Sequence, residues 1–347
     1  MTLNSLKKLY FLGIGGIGMS ALARYFNSRG IEIHGYDKTQ TPLTNQLTAE
    51  GMTIHYEEDV NQIPEGIDLV VYTPAVPKTH KEYQYFDTQR TPIKKRAEVL
   101  GIISRSQRTI AIAGTHGKTT TTTILTHLLK TGGIDCTAFL GGIAQNYNSN
   151  YVEGKSDWVV VEADEYDRSF LHLTPEVAII LSMDADHLDI YGSHEAMLET
   201  GFKKFVENVK ADGTIIVQDE LAQWFDNQEI ETYGINDGDF RAMRVGVVDG
   251  GFHFDFTQGR KSHYLTKVDP HFWTPLPGRH NVENALVAMA VAIKLGVSTT
   301  DLREGLRTFK GIKRRFEFII REENLVFIND YAHHPTELIA AISAAKE

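Results

Sequence analysis

The chain opens with a short apolar block, Leu9 to Leu12, that reads as a buried strand before the hydrophobic period changes. Met19, Leu22, Ala23 and Phe26 recur at i, i+3, i+4 and i+7, which puts them on one face of a helix. Gly30 suits that helix's end, and Ile31 and Ile33 alternate into Asp37, a second strand with an acid at its tip. "IDLVVYTPAV" supplies another strand near residues 67–72, and "TPIKKRAEVLGIIS" ends in a helix that closes a first block near Ser106. A second block starts with "RTIAIAGTHGKTTTTTILTHLLK" and runs through the strands "WVVVEAD" and "VAIILSMDADH", each ending in acids. The helix "HEAMLETGFKKFVENV" and the strand "GTIIVQD" follow. Strands alternating with helices predict an α/β fold with a mainly parallel, doubly wound sheet. Residues 240–266 depart from this, because Phe252, Phe254 and Phe256 alternate with polar residues. That alternation predicts a small antiparallel addition capping one edge of the sheet. "PGRHNVENALVAMAVAIKLG" returns to a helix with Val282, Leu286, Met289 and Ile293 on one side. A third block, "RRFEFIIREENLVFINDYAHHPTELIAAISAAKE", gives one or two strands and one helix.

The blocks divide the 347 residues into domains at 1–105, 106–313 and 314–347, in line with about 100–200 residues per domain. A net charge of −10 leaves no basic excess for duplex nucleic acid. The single cysteine, Cys136, forbids an intrachain disulfide and fits a reducing compartment. Lys7 and Lys8 ahead of an apolar run imitate an export leader. Gly13, Gly15, Gly16 and Gly18 argue against it, each weakening a helix by about 1 kcal/mol. No later segment approaches the roughly 18 apolar residues of a membrane span. The expected location is therefore the cytoplasm, without membrane insertion. The sequence carries no signal for oligomeric state.

Two glycine loops carry the chemistry. Gly13-x-Gly15-x-x-Gly18, with Asp37 about 20 residues on, fits a dinucleotide loop or a loop for another diphosphate. "GTHGKT", Gly114 to Thr119, lies between a strand and a helix. There, backbone N–H groups can curl around phosphate, Lys118 can neutralise it, and Thr119 can ligate Mg²⁺. Ile112 occupies the first glycine position of the strict pattern. Glu162, at a strand tip, is placed for a second Mg²⁺ contact, and His187 in "DADHLD" is a possible ligand. Asp164, Glu165, Asp184, Asp186 and Asp189 read mostly as solvated acids or helix caps. A nicotinamide-dependent oxidoreductase would use only the first loop and an ordinary NTPase only the second. Both together suggest ATP spent on a substrate that itself carries a diphosphate. A non-catalytic nucleotide-sugar-binding module is the third reading.

"GIGGIGMSALA", "AGTHGKTTTT", "VEADEYDRSFLHL", "DADHLD", "PGRHNVENALVA", "GIKRRFE" and "NDYAHHPTE" occur in this order. The series resembles the Mur ligases, from about residue 9 to the end of the chain. "SFLHLTPEVAII" and "HNVENAL" are most similar to the branch that joins L-alanine to UDP-N-acetylmuramate. The branch that reattaches recycled muramyl tripeptide to the same nucleotide sugar shares the loop and "VEADEYD".

The resemblance implies a Rossmann-like first domain, a P-loop-type central domain, and a third Rossmann-like domain that is only begun here. It also implies that Gly13, Ile14, Gly15, Gly16, Ile17 and Gly18 receive the pyrophosphate of the UDP-sugar rather than NAD, with Asp37 and Thr73 toward the uridine. Gly114, Thr115, His116, Gly117, Lys118, Thr119 and Thr120 would hold ATP, with Lys118 on the transferring phosphoryl group. Thr119 and Glu162 would hold one Mg²⁺ and His187 would contact a second. His280, Asn281 and Asn284 would border the adenine, Arg315 the phosphates and Asp330 the ribose, with Tyr331 and His333 near the reacting centre. Each has a plainer counterpart: the asparagines as a helix N-cap and its neighbour, Arg314 and Arg315 as a solvated pair, and Asp330 as a loop acid beside the helix-starting Pro335. The implied reaction, in peptidoglycan precursor synthesis, turns the lactyl carboxylate into an acyl phosphate that the amine of L-alanine attacks. With the third domain only begun, the stretch from about Asn324 to Glu347 is expected to be mobile or docked on the central domain or a neighbouring chain, and the chain inactive alone.

Overall fold

The structure, a computed structural model, describes residues 5–186, 188–225, 228–259 and 267–346. They form two compact units, Met1–Ser106 and Gln107–Glu347. In the first, β1 (Lys8–Leu12), β2 (Glu32–Tyr36), β3 (Thr53–His55), β4 (Leu69–Tyr72) and β5 (Ile93–Lys95) make one sheet. Its order is β3-β2-β1-β4-β5 and every pairing is parallel. The strand order reverses at β1, and ligand crevices open at such a switch point. α1 (Ile17–Asn27) follows β1 across a four-residue loop and buries Met19, Leu22, Ala23 and Phe26, the face anticipated from their spacing. The export-like stretch is therefore a strand, a loop and a helix. α2 (Pro42–Ala49), α3 (Lys81–Thr88), β3 and β5 escape the hydrophobic pattern; the two strands are only three residues long and leave no period to detect. α4 (Arg96–Ser106) closes the unit.

The second unit is built on a ten-stranded sheet. Its strands are β6 (Arg108–Ala113), β7 (Thr137–Ala144), β8 (Ser149–Val152), β9 (Trp158–Ala163), β10 (Val177–Ile180), β11 (Thr214–Gln218), β12 (Glu231–Ile235), β13 (Phe240–Val248), β14 (Gly251–Gln258) and β15 (Lys267–Thr274). The order is β15-β14-β13-β12-β11-β10-β6-β9-β7-β8. Pairings from β13 to β7 are parallel. β14 and β15 extend one edge antiparallel, as the phenylalanine alternation implied, with Phe252, Phe254 and Phe256 all buried. At the other edge β8 adds antiparallel to β7. Neither strand was apparent beforehand, because Gly141 and Gly142 interrupt the apolar run of β7.

β6 and β9 are almost wholly buried. α5 (Lys118–Thr131) and the helix Arg279–Lys294 cover the sheet, joining Leu125, Leu128, Val282, Leu286 and Met289 in one core. The stretch expected as a single helix after "SH" contains a π-helical turn, Leu198–Phe202, between Met197 and Lys203. There Gly201 abuts the ring of Tyr191, and π turns arise where a side chain crowds the helical ladder. β16 (Glu317–Glu322) and β17 (Leu325–Asn329) pair antiparallel, and the helix Pro335–Lys346 follows. That helix touches the second unit's phosphate loop through Glu337 and buries Ala344. Among the described residues no helix is long and apolar enough to cross a membrane.

Candidate active site

In the first unit the loop Gly13–Gly16 leaves β1 and enters α1. Gly13 has a φ of +84°, and its N–H donates to the Tyr36 carbonyl (2.8 Å). A side chain at Gly15 would meet Thr44 and Asp37, and one at Gly18 would meet the Arg96 side chain, so the backbone is bare where a diphosphate would approach. Ile14 is buried and offers only its backbone to a ligand, whereas Ile17 is exposed. Thr73 packs its methyl group on Gly13. Asp37, expected toward the uridine, accepts from Gly15 N–H (2.7 Å) and Thr39 N–H (3.1 Å). Arg96, which the sequence reading passed over, brings a cation to this loop.

In the second unit β6 delivers Gly114–Gly117 to the N-terminus of α5. Gly117 caps that helix at φ +83°, a left-handed conformation that a side chain would strain. A side chain there would also strike Asn284 Oδ1. Lys118 Nζ donates to the Gly114 carbonyl (2.6 Å) and to both oxygens of Glu165 (3.0 and 2.8 Å). Glu165, grouped above with solvated acids, is in fact fully buried. Burial pushes its carboxyl upward, with Lys118 opposing. It follows β9, and Asp167 and Arg168 just beyond it are both left-handed (φ +51° and +54°), a locally strained turn.

Glu162 lies at the tip of β9. It accepts from Gly141 N–H (2.5 Å) on β7 and from the Thr119 hydroxyl (3.1 Å). Burial raises its carboxyl above the usual range. A dication beside it would favour the anion, so Thr119 and Glu162 fit the Mg²⁺ role. Among the described residues no three metal-binding side chains converge. Mg²⁺ commonly takes one or two carboxylates and completes its shell with phosphate and water. His187 lies outside the described residues.

Beside the loop is a cavity of about 430 Å³, lined by His116, Gly117, Thr120, His280, Asn281, Asn284, Arg315 and Asp330, with Leu181, Tyr233 and Leu276 as apolar wall. This size suits a small-molecule ligand. Thr115 and His116 are pinned to Ser182, through a hydroxyl pair at 2.9 Å and a backbone N–H at 2.8 Å. Asn284 Oδ1 accepts from the Thr121 hydroxyl (3.1 Å), and its Nδ2 donates to Asn281 Oδ1 (3.2 Å). Asn281 Nδ2 donates to the Pro277 carbonyl (2.6 Å). The asparagines thus tie α5 to the helix Arg279–Lys294 and to the turn before it, as well as lining the cavity. Asp330 accepts from Phe316 N–H (2.6 Å) and Ala332 N–H (2.7 Å), so it also folds the turn that carries Arg315. His333 is exposed, with its ring 3.1 Å from the Tyr331 carbonyl, and does not line the cavity. Its neighbour His334 is the one that meets the loop, with its ring 4.9 Å from that of His116. Tyr331 lies under the guanidinium groups of Arg314 and Arg315.

Residues 112–292 match the Mur ligase middle domain, and residues 8–108 match the Mur ligase family catalytic domain. The chain belongs to the Mur ligase family. This Mur ligase is 47% identical over 352 residues to the UDP-N-acetylmuramate–L-alanine ligase of Christiangramia forsetii, covering 99% of the chain and 75% of that relative. The enzyme of the same name from Porphyromonas gingivalis is 46% identical, with 99% and 76% covered. Among solved structures, the UDP-N-acetylmuramate–alanine ligase of Thermotoga maritima superimposes with a TM-score of 0.85 at 32% identity, covering 98% of this chain and 77% of that one. A murein peptide ligase from Psychrobacter arcticus gives 0.80 at 28% identity, with 98% and 76% covered. These likenesses carry the α/β architecture with mainly parallel sheets described above.

Proposed function

We propose that this Mur ligase joins L-alanine to the lactyl carboxylate of UDP-N-acetylmuramate at the expense of ATP, in peptidoglycan precursor synthesis within the cytoplasm. The observation that carries this reading is a pair of glycine loops with bare backbone, one on each compact unit, of which the second is set beside Lys118 and the buried strand-tip carboxylate Glu162. Relatives at 47% and 46% identity bearing the L-alanine ligase name support the choice of substrates.

In this reading Gly13–Gly18 receives the pyrophosphate of the sugar nucleotide, with Arg96 nearby. A carboxylate oxygen of the lactyl group attacks the γ-phosphorus of ATP and ADP leaves. The amine of L-alanine then attacks the acyl carbonyl, phosphate leaves, and the amine's proton passes to solvent or a nearby base. Bound Mg²⁺ would neutralise charge on the transferring phosphoryl group. Thr119 and Glu162 would hold it, while Lys118 exchanges Glu165 for phosphate. Arg315 lines the same cavity and adds positive charge, and His116 adds ring nitrogens for hydrogen bonds, so catalysis rests on positioning and electrostatic clamping.

The test is phosphate release with ATP and Mg²⁺. Release that requires both UDP-N-acetylmuramate and L-alanine supports this reading and overturns the expectation that the chain is inactive alone. Release with the free tripeptide L-alanyl-γ-D-glutamyl-meso-diaminopimelate in place of L-alanine would move the protein to the recycling branch. Saturable NADH binding without release would return it to the oxidoreductases.

A further inference from the structure

The motif "NDYAHHPTE" ends on Glu337, a carboxylate with no part in the chemistry above. It stands in the first turn of the helix Pro335–Lys346, and its side chain is only 17% exposed. Oε1 lies 3.3 Å from Nδ1 of His116 in the phosphate loop and 3.8 Å from the Arg315 guanidinium. Oε2 accepts from the His333 N–H (3.3 Å) and lies 3.5 Å from that residue's Nδ1. The other ring nitrogen of His116 is 3.1 Å from Asp184. One carboxylate thus meets the phosphate loop, Arg315 and the turn before its own helix, and of its three side-chain partners, His116 (3.3 Å), His333 (3.5 Å) and Arg315 (3.8 Å), the first and last line the cavity.

We propose that Glu337 is a positioning residue for nucleotide, fixing His116 and Arg315 relative to each other so that both face the phosphates together. This rests on the nucleotide reading of the cavity. An anion placed between an imidazole and a guanidinium, both able to donate to it, sets their separation, whereas a neutral amide of the same shape can bond one of them without holding both. The hydrogen bond from His116, followed by that from the His333 N–H, keeps the Glu337 carboxyl at about 2, so it is ionised under any ordinary assay condition. A carboxylate in the first helical turn is also favoured by the helix dipole.

A double-mutant cycle in MgATP affinity, measured by calorimetry on the whole chain, tests this. Glu337→Gln, His116→Gln and the double variant are compared with wild type, and the same is done with Arg315→Ala. Residues acting through one contact are non-additive, so each double variant should depart at least threefold from the product of its single effects. A smaller departure in both cycles overturns the proposal. In the ligase assay Glu337→Gln should raise the KM for ATP at least threefold with the KM for UDP-N-acetylmuramate changed less than twofold, and Glu337→Asp should recover part of the loss. An unchanged KM for ATP overturns it too. If Glu337→Gln fails to fold, Glu337→Asp carries the cycles. Coupling in a chain that binds MgATP but ligates nothing refutes the substrate assignment and leaves this proposal standing. A chain with no MgATP affinity overturns both.

Discussion

Gly141 has no chemistry of its own, yet its replacement by alanine should damage activity far more than stability. The added methyl carbon would stand 2.6 Å from Oε1 and 2.7 Å from Cδ of Glu162. Unstrained contacts between carbon atoms begin near 3.5–4.0 Å, so the carboxyl must retreat by about 1 Å. Because the crowded group is the end of a side chain, the fold itself need not shift. The φ of Gly141 lies outside the left-handed region, so alanine adds no backbone strain. What is lost is the Gly141 N–H bond to Glu162, about 1.5–3 kcal/mol for a charged acceptor. Reduced freedom of the unfolded chain returns about 0.4–1 kcal/mol. The net loss of about 1–2 kcal/mol lowers the melting temperature by only a few degrees. A catalytic group misplaced by about 1 Å costs about 100-fold in rate. The assay pairs a thermal melt with phosphate release across a Mg²⁺ titration. Activity within threefold of wild type at an unchanged Mg²⁺ requirement would refute the assignment of Glu162 to the metal.

Lys118→Ala should abolish MgATP binding while leaving UDP-N-acetylmuramate affinity within twofold, since the two loops lie on different compact units; calorimetry with each ligand decides, and joint loss would point to misfolding. Gly15→Val should do the reverse, because the new side chain meets Thr44 and Asp37 at the first loop; retained sugar-nucleotide affinity would refute the loop's role. Cys136 is fully buried and its thiol is pushed up to about 12, so iodoacetamide at pH 8 should label the unfolded chain only, and rapid native labelling would contradict the core described here. Glu337 has a depressed carboxyl, so the stability it adds is complete above the ordinary carboxylate value and is lost as pH falls through about 2. The difference in melting temperature between wild type and Glu337→Gln should therefore be present at pH 6 and shrink toward pH 2; a constant difference would show that charge is not the cause.

What was legible in the sequence is what acts over short spans. Gly114 to Thr119 is contiguous, and the strand before it and helix after it declare its use. Glu162 could be found because an apolar strand ends on it. Glu165, three residues further, reads like any loop acid, and only the packing of β9 against the phosphate loop buries it on Lys118. Gly141 carries no signal in the sequence, and only the fold sets Glu162 in the space where its side chain would stand. Asn281, Asn284 and Asp330 were identified as residues, but their bonds to Pro277, Thr121, Phe316 and Ala332 depend on the fold. In "HHP" the choice between His333 and His334 turns on side-chain direction, which no spacing rule supplies at the start of a helix.

Lys118, His116 and Arg315 each already face a carboxylate: Glu165, the pair Asp184 and Glu337, and Glu337 again. A lone inorganic anion arriving here must displace an internal partner that is tethered and pre-placed, so it competes at a steep disadvantage. A triphosphate with its own dication can replace several of these contacts in one step. The pocket is thereby protected from occupation by free phosphate, which is abundant in any cell and is also what this reaction releases. Product inhibition by orthophosphate should be weak for the same reason that ATP is accepted.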